Sequence, residues 1–171
     1  MTDAPARIAL TGTPGTGKTT VAGRLPGPFE VVHLGDLVRA EGLWSERDPD
    51  RGSLVVDLDA VADRLAAREP DGPLLVESHL AHRLDADLVV VLRCRPDRLR
   101  ERLAGRDEPP ATVAENAESE ALDVILAEAA ERHGRDAVHG IATTERGPAA
   151  GADAVPRAAR GEAPPGGGRG A

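Results

Sequence analysis

The chain alternates short, almost wholly apolar runs with longer stretches in which apolar residues recur every three or four positions. The short runs are Arg7-Ile8-Ala9-Leu10-Thr11, Glu30-Val31-Val32-His33-Leu34, Pro73-Leu74-Leu75-Val76-Glu77 and Asp87-Leu88-Val89-Val90-Val91-Leu92-Arg93. Their length and continuity predict parallel strands covered on both faces. Ala137 to Ala142 is a fifth strand candidate. Between the runs, Thr19 to Leu25 reads as a helix closed by Pro26, and Asp57 to Arg68 as a helix with Leu58, Val61 and Leu65 on one face. Pro96 opens a helix through about Ala104, at the position where its missing N–H costs nothing. A longer helix is predicted from Thr112 to about His133, with Thr112 and Glu115 as a capping box and Gly134 as its stop. This alternation predicts an α/β fold built on an open parallel sheet flanked by helices.

From Pro148 onward Ala, Gly, Pro and Arg dominate, so residues 148–171 are expected to form a disordered tail, with at most a weak turn over Val155 to Arg160. Residues 1–147 then form one domain, long enough to bury a core. No 18-residue apolar stretch is present, so no membrane span is expected. Met1-Thr2-Asp3-Ala4-Pro5 lacks the basic and apolar regions of a signal peptide, and Cys94 is alone, so the expected location is cytoplasmic. A net charge of −8 argues against broad nonspecific nucleic-acid binding without excluding an RNA-containing partner.

The basic residues are all arginine except one, Lys18. It lies in Gly12-Thr13-Pro14-Gly15-Thr16-Gly17-Lys18-Thr19-Thr20, which fits G-x-x-x-x-G-K-[ST], the loop that wraps nucleotide phosphates. Gly12, Gly15 and Gly17 let the backbone turn tightly and offer N–H groups to phosphate oxygens. The helix beginning near Lys18 adds its positive end, Lys18 reaches the β- and γ-phosphates, and the Thr19 hydroxyl is placed for Mg²⁺. Strand, glycine loop and helix follow in the order this motif requires, so ATP is the expected ligand.

Three further groups point at phosphates. Gly35-Asp36-Leu37-Val38-Arg39 follows the second strand and Val76-Glu77-Ser78-His79 ends the third, both at the carboxyl edge where such sheets bind ligands. Arg93, Arg95, Arg98, Arg100, Arg102 and Arg106 crowd the helix after the fourth strand. Each has a plainer reading: a turn and helix cap at Gly35-Asp36, a solvated helix face for the arginines, a strand-end histidine at His79. Taken together after a phosphate loop, they favour a small nucleotide kinase. His79 and His82 lack a third nearby ligand, so a metal site there is not expected.

These residues resemble the archaeal and eukaryotic adenylate kinases of the isoenzyme-six type, P-loop nucleoside monophosphate kinases that also act as ATPases in small-subunit ribosome assembly. The match rests on Gly12 to Thr20, Gly35-Asp36 with Arg39, Val56-Asp57, Glu77-Ser78-His79, Asp87 to Arg93, Leu99 to Arg106 and Glu115-Asn116-Ala117-Glu118-Ser119-Glu120, and covers about residues 7–147. It implies a five-stranded parallel sheet, a monophosphate-binding segment near 33–53 and a short lid near 105–115. It further implies a Walker B-like segment in which Glu77 holds a water on Mg²⁺ and His79 orients the attacking group or a water. By the same resemblance Gly35, Asp36 and Arg39 bind AMP, with Arg39 on its phosphate, and Arg106 closes on ATP together with Lys18, Thr19 and Thr20. The implied partners are a small-subunit platform ribosomal protein and, through it, pre-rRNA, with the acidic helix Glu115 to Glu131 as a candidate face. A hydroxyl acceptor is the other kinase reading, and would need Asp36 or Glu77 as base. The chain departs from the family at Asp107-Glu108 after the lid arginine, at Ala142 before Thr143-Thr144, and in its Pro/Gly-rich tail.

Overall fold

The five apolar runs pair into one parallel sheet in the computed structural model, which describes residues 7–25, 29–49, 54–68, 73–144, 152, 155 and 156. The strands are β1 (Arg7–Gly12), β2 (Glu30–His33), β5 (Leu74–Glu77), β6 (Leu88–Arg93) and β7 (Val138–Ala142), in the order β2-β5-β1-β6-β7. Strand β1 lies at the centre, with Ile8 beside Leu75 on one side and Leu88 on the other.

The sheet explains why these runs lack polar alternation. Ala9, Val76, Val89 and Val91 face a cluster with Leu34, Val38, Val61, Leu65, Ile125 and Ala129. Their neighbours Ile8, Leu10, Leu75, Val90 and Leu92 face the opposite cluster with Val21, Ala22 and Ile141. Both faces are dry, and each fully buried Leu, Ile or Val contributes about 1.5–3 kcal/mol.

Helix α1 (Lys18–Gly23) follows the glycine loop, α2 (Leu34–Glu41) follows β2, and α3 (Leu58–Ala66) is capped by Asp57, whose side chain accepts from Ala60 N at 3.1 Å. Helix α4 spans Pro96–Ala104, with proline in its first turn as expected. Leu34 is therefore the first residue of a helix rather than the end of a strand, and Gly35 to Arg39 lie within α2 rather than in a turn. Between α2 and α3, β3 (Trp44–Arg47) and β4 (Leu54–Val56) form a separate antiparallel pair that the hydrophobic pattern does not announce.

The long helix expected from Thr112 to His133 is two helices, α5 (Pro110–Ala121) and α6 (Val124–His133). Pro110 sets the start of α5, so Thr112 falls inside its first turn and makes no capping bond. The break is at Asp123, whose backbone is left-handed (φ 55°). The Glu120 carbonyl, which in an unbroken helix would accept from residue 124, accepts from Asp123 N at 3.1 Å and Arg93 Nη2 at 3.3 Å. The Asp123 carboxylate also takes the Arg93 guanidinium.

Pro26, residues 50–53 of the expected monophosphate segment and nearly all of the expected tail lie outside the described residues. Ala152, Val155 and Pro156 are helical, and Val155 is fully buried in the cluster containing Ile8, Val90 and Ile141. A solvated tail is thus not the environment at Val155, because this sheet face takes in its apolar side chain. Among the described residues no helix is long and apolar enough to cross a membrane.

Candidate active site

The glycine loop between β1 and α1 is shaped by what surrounds it. Gly15 has φ +94°, and a Cβ there would meet Leu99 Cδ1 at 2.8 Å and Leu103 Cδ2 at 2.9 Å. At Gly12 a Cβ would lie 2.7 Å from Thr16 Oγ1 and 2.8 Å from the Leu92 carbonyl. Helix α4 and strand β6 therefore press against the loop and leave it no side-chain volume at these two points.

Inside the loop, the Thr13 carbonyl accepts from Thr16 N at 3.2 Å, Thr16 Oγ1 at 2.8 Å and Lys18 Nζ at 3.2 Å. The last bond uses one of the three ammonium donors. Lys18 is buried, and desolvation pushes it down to about 8; Arg106 adds to that, while Glu77 and Glu120 oppose it. The side chain still carries its charge at neutral pH.

Two hollows meet at this loop. The smaller, about 160 Å³, is lined by Pro14, Gly15, Gly17, Lys18, Thr19, Thr20, His79 and Arg106. The larger, about 860 Å³, is lined by Lys18, Thr19, Gly35, Asp36, Arg39, Glu77 and His79, together with His33, Trp44 and residues of the β3–β4 pair. Lys18, Thr19 and His79 line both. Of the candidate site residues, Gly15, Gly17, Lys18, Thr19 and Thr20 reach the hollows from the loop and helix after β1, Gly35, Asp36 and Arg39 from α2, Glu77 and His79 from the end of β5, and Arg106 from beyond α4, whereas Gly12 lines neither hollow and serves the turn.

Within the larger hollow Glu77 is buried, and its Oε2 lies 2.9 Å from His33 Nδ1, which fixes the carboxylate. Arg39 is largely exposed, and its guanidinium stands 3.7 Å from Asp36, a solvated pair worth little that leaves the arginine free to turn to an anion. His79 is pushed down to about 4, by desolvation first and by the Lys18 charge second. Its residue surface is open to the hollows, so solvent softens the effect, but both causes act in one direction and the imidazole is neutral at pH 7.

The arginine crowd divides. Arg93 is tied to Glu120 and Asp123, Arg95 to Asp97 and Arg98 to Glu101, while Arg102 donates to the Thr143 carbonyl at 2.8 Å. Of these arginines, Arg106 is the one that lines the smaller hollow. His82 is a structural histidine: its Nδ1 lies 2.8 Å from Thr11 Oγ1 and its Nε2 3.3 Å from Glu128.

Sequence reasoning missed a buried brace behind the loop. Glu120, read as part of an acidic outer face, is 4% exposed; it accepts from Thr13 Oγ1 at 2.6 Å and Arg93 Nε at 2.5 Å. Thr143 is fully buried and donates across to the Thr16 carbonyl at 3.1 Å. The available signal for Glu120 was its spacing of three from Ala117, the other buried residue of α5.

Residues 8–123 match the AAA domain family. A protein named "Putative adenylate kinase" from Natronomonas pharaonis is 55% identical over 159 residues, 93% of each chain. Proteins of the same name from Halobacterium salinarum and Methanothermobacter thermautotrophicus are 58% identical over 150 residues and 46% identical over 164 residues, covering 87% and 94% of each chain. Among solved structures, a shikimate kinase from Bacteroides thetaiotaomicron covers 92% of this chain and 99% of its own, with 19% identity and a TM-score of 0.49. Identities of 55% and 58% over 93% and 87% of both chains show the family, and the chain belongs to the adenylate-kinase type of P-loop nucleoside monophosphate kinases.

Proposed function

We propose that the protein transfers the terminal phosphoryl group of ATP to AMP, reversibly, to give two ADP. The observation that carries this reading is the meeting of a smaller and a larger hollow at Lys18, Thr19 and His79. The donor sits in the smaller hollow on the loop N–H groups, with Lys18 and Arg106 on its phosphates. The acceptor sits in the larger one, with its phosphate on Arg39.

The acceptor phosphate is already ionised at neutral pH, so the site needs alignment and charge neutralisation more than a general base. Lys18 and Arg106 offset the charge of the transferred group, and the forked guanidinium of Arg39 holds two acceptor oxygens at once. His79, neutral at pH 7, both donates and accepts a hydrogen bond, which suits it to orient the attacking oxygen. The Thr19 hydroxyl and the Glu77 carboxylate line one hollow beside Lys18, and such hard oxygen donors fit Mg²⁺, Thr19 directly and Glu77 through water. When bound, the ion neutralises phosphate charge.

Measuring ADP formation from ATP with and without AMP tests the proposal. AMP should accelerate it, and Arg39→Ala should raise the KM for AMP while leaving ATP affinity intact. Folded protein with no AMP-dependent rate would overturn the reading. An assembly ATPase, which the family resemblance also implies, would show ATP hydrolysis stimulated by a basic protein partner and indifferent to AMP, so one assay separates the two.

A further inference from the structure

Aromatic side chains are almost absent from this protein, which has one tryptophan, one phenylalanine and no tyrosine. Phe29 packs against the core cluster around Ile8 and Leu75. Trp44 does not: it is 39% exposed, on a strand whose four residues are all exposed. A large aromatic left in water by the fold, when smaller apolar residues fill every core position, calls for a reason outside folding.

Its surroundings supply one. Trp44 pairs with Val56 across the β3–β4 pair, and both line the larger hollow together with Leu54. The cations of that hollow are Lys18, after β1, Arg39 on α2 and Arg47 on β3, whereas the β3–β4 pair adds Trp44, Leu54 and Val56 to an apolar lining that Leu34, Val38 and Leu80 continue. A cavity with a cationic part and a flat aromatic part matches a molecule that is phosphate at one end and π-surface at the other.

We propose that Trp44 recognises the base of the acceptor nucleotide by stacking on it, so that the hollow selects nucleoside monophosphates over base-free phosphates and purines over pyrimidines. This rests on the larger hollow being the acceptor site. Stacking tolerates every base because each has a π-face, so preference among bases follows ring area and is modest, whereas discrimination against a base-free phosphate is large. Leu54 and Val56 extend the apolar wall beside Trp44.

The test uses the full-length protein. Because Trp44 is the sole tryptophan, all tryptophan emission reports on it. AMP should change that emission saturably; ribose 5-phosphate, which carries the same phosphate without a base, should not, and CMP should act only at higher concentration than AMP. In the kinase assay Trp44→Ala should raise the KM for AMP about 5- to 150-fold, the span of base stacking on aromatic residues. Trp44→Phe should recover most of that loss, and the KM for ATP should stay unchanged in both. An AMP KM in Trp44→Ala within twofold of wild type, or emission indifferent to saturating AMP, overturns the inference while leaving the acceptor reading intact. A wild-type protein with no AMP-dependent rate overturns the acceptor reading and this inference with it.

Discussion

Replacing Lys18 by methionine, a neutral side chain of similar length, should make the nucleotide-free protein more stable while disabling it. Lys18 is 8% exposed, and its pKa falls from 10.5 to about 8, with desolvation as the largest cause. That difference corresponds to roughly 3 kcal/mol of folding free energy spent on holding the charge, with the attraction of Glu77 and Glu120 already inside it. Methionine also forfeits the bond to the Thr13 carbonyl, which keeps its two bonds from Thr16, so that loss is about 1 kcal/mol. The variant should therefore gain about 2 kcal/mol at pH 7, a Tm higher by roughly 4–8 °C. Between pH 8 and 10.5 the unfolded chain binds more protons at this side chain than the folded one. Wild-type stability therefore rises relative to the variant through that window, and the gap closes. Urea and thermal unfolding at several pH values from 7 to 10 would measure this. ATP at a hundredfold over its Kd should add about 2.7 kcal/mol to wild type and little to the variant. A variant less stable than wild type at pH 7, or a gap equal at pH 7 and pH 10, would refute the assignment of a desolvated ammonium.

Three further outcomes are expected. Glu120→Ala strands the Thr13 hydroxyl and one side of Arg93, and should cost about 3 kcal/mol in urea unfolding because Asp123 remains to Arg93; a loss under 1 kcal/mol would contradict the brace. His79 should titrate near 4 by NMR, move upward in Lys18→Met, and add no inflection near pH 6.5 to the kinase rate; a midpoint at 6.5 in wild type would show that neither burial nor Lys18 acts on it. Gly15→Ala should lose ATP binding and at least about 2 kcal/mol of stability, because its Cβ collides with Leu99 and Leu103 at positive φ, whereas Gly23→Ala, with nothing within 4 Å, should be neutral or stabilising by up to about 1 kcal/mol.

What could be read from the chain was what local pattern controls. The strands were legible because β1, β5 and β6 are covered on both faces and are apolar over Ile8–Leu10, Leu74–Val76 and Leu88–Leu92, and the phosphate loop because its glycines and Lys18 sit at fixed spacing. The β3–β4 pair was illegible because β3 is exposed along its whole length and shows no alternation. The break between α5 and α6 was illegible because Arg93, thirty residues away, takes the Glu120 carbonyl and the Asp123 carboxylate. Arg102 and Arg93 were likewise claimed by distant partners, Thr143 and Glu120, while Arg95 and Arg98 pair with nearby Asp97 and Glu101, so spacing alone could not tell Arg106 from the rest. Glu120 was misjudged for the same reason: a carboxylate reads as solvated until Thr13 and Arg93 are found waiting for it.

The central claim is that the two hollows meeting at Lys18 hold a phosphate donor and a nucleotide acceptor face to face. It is tested most directly by a crystal structure with a two-headed analogue joining ATP to AMP through their phosphates. The account predicts one end in the glycine loop under Lys18 and Arg106, and the other end with its phosphate on Arg39 and its base against Trp44. An analogue held by the glycine loop alone, with its second base in solvent and Arg39 still beside Asp36, would contradict it.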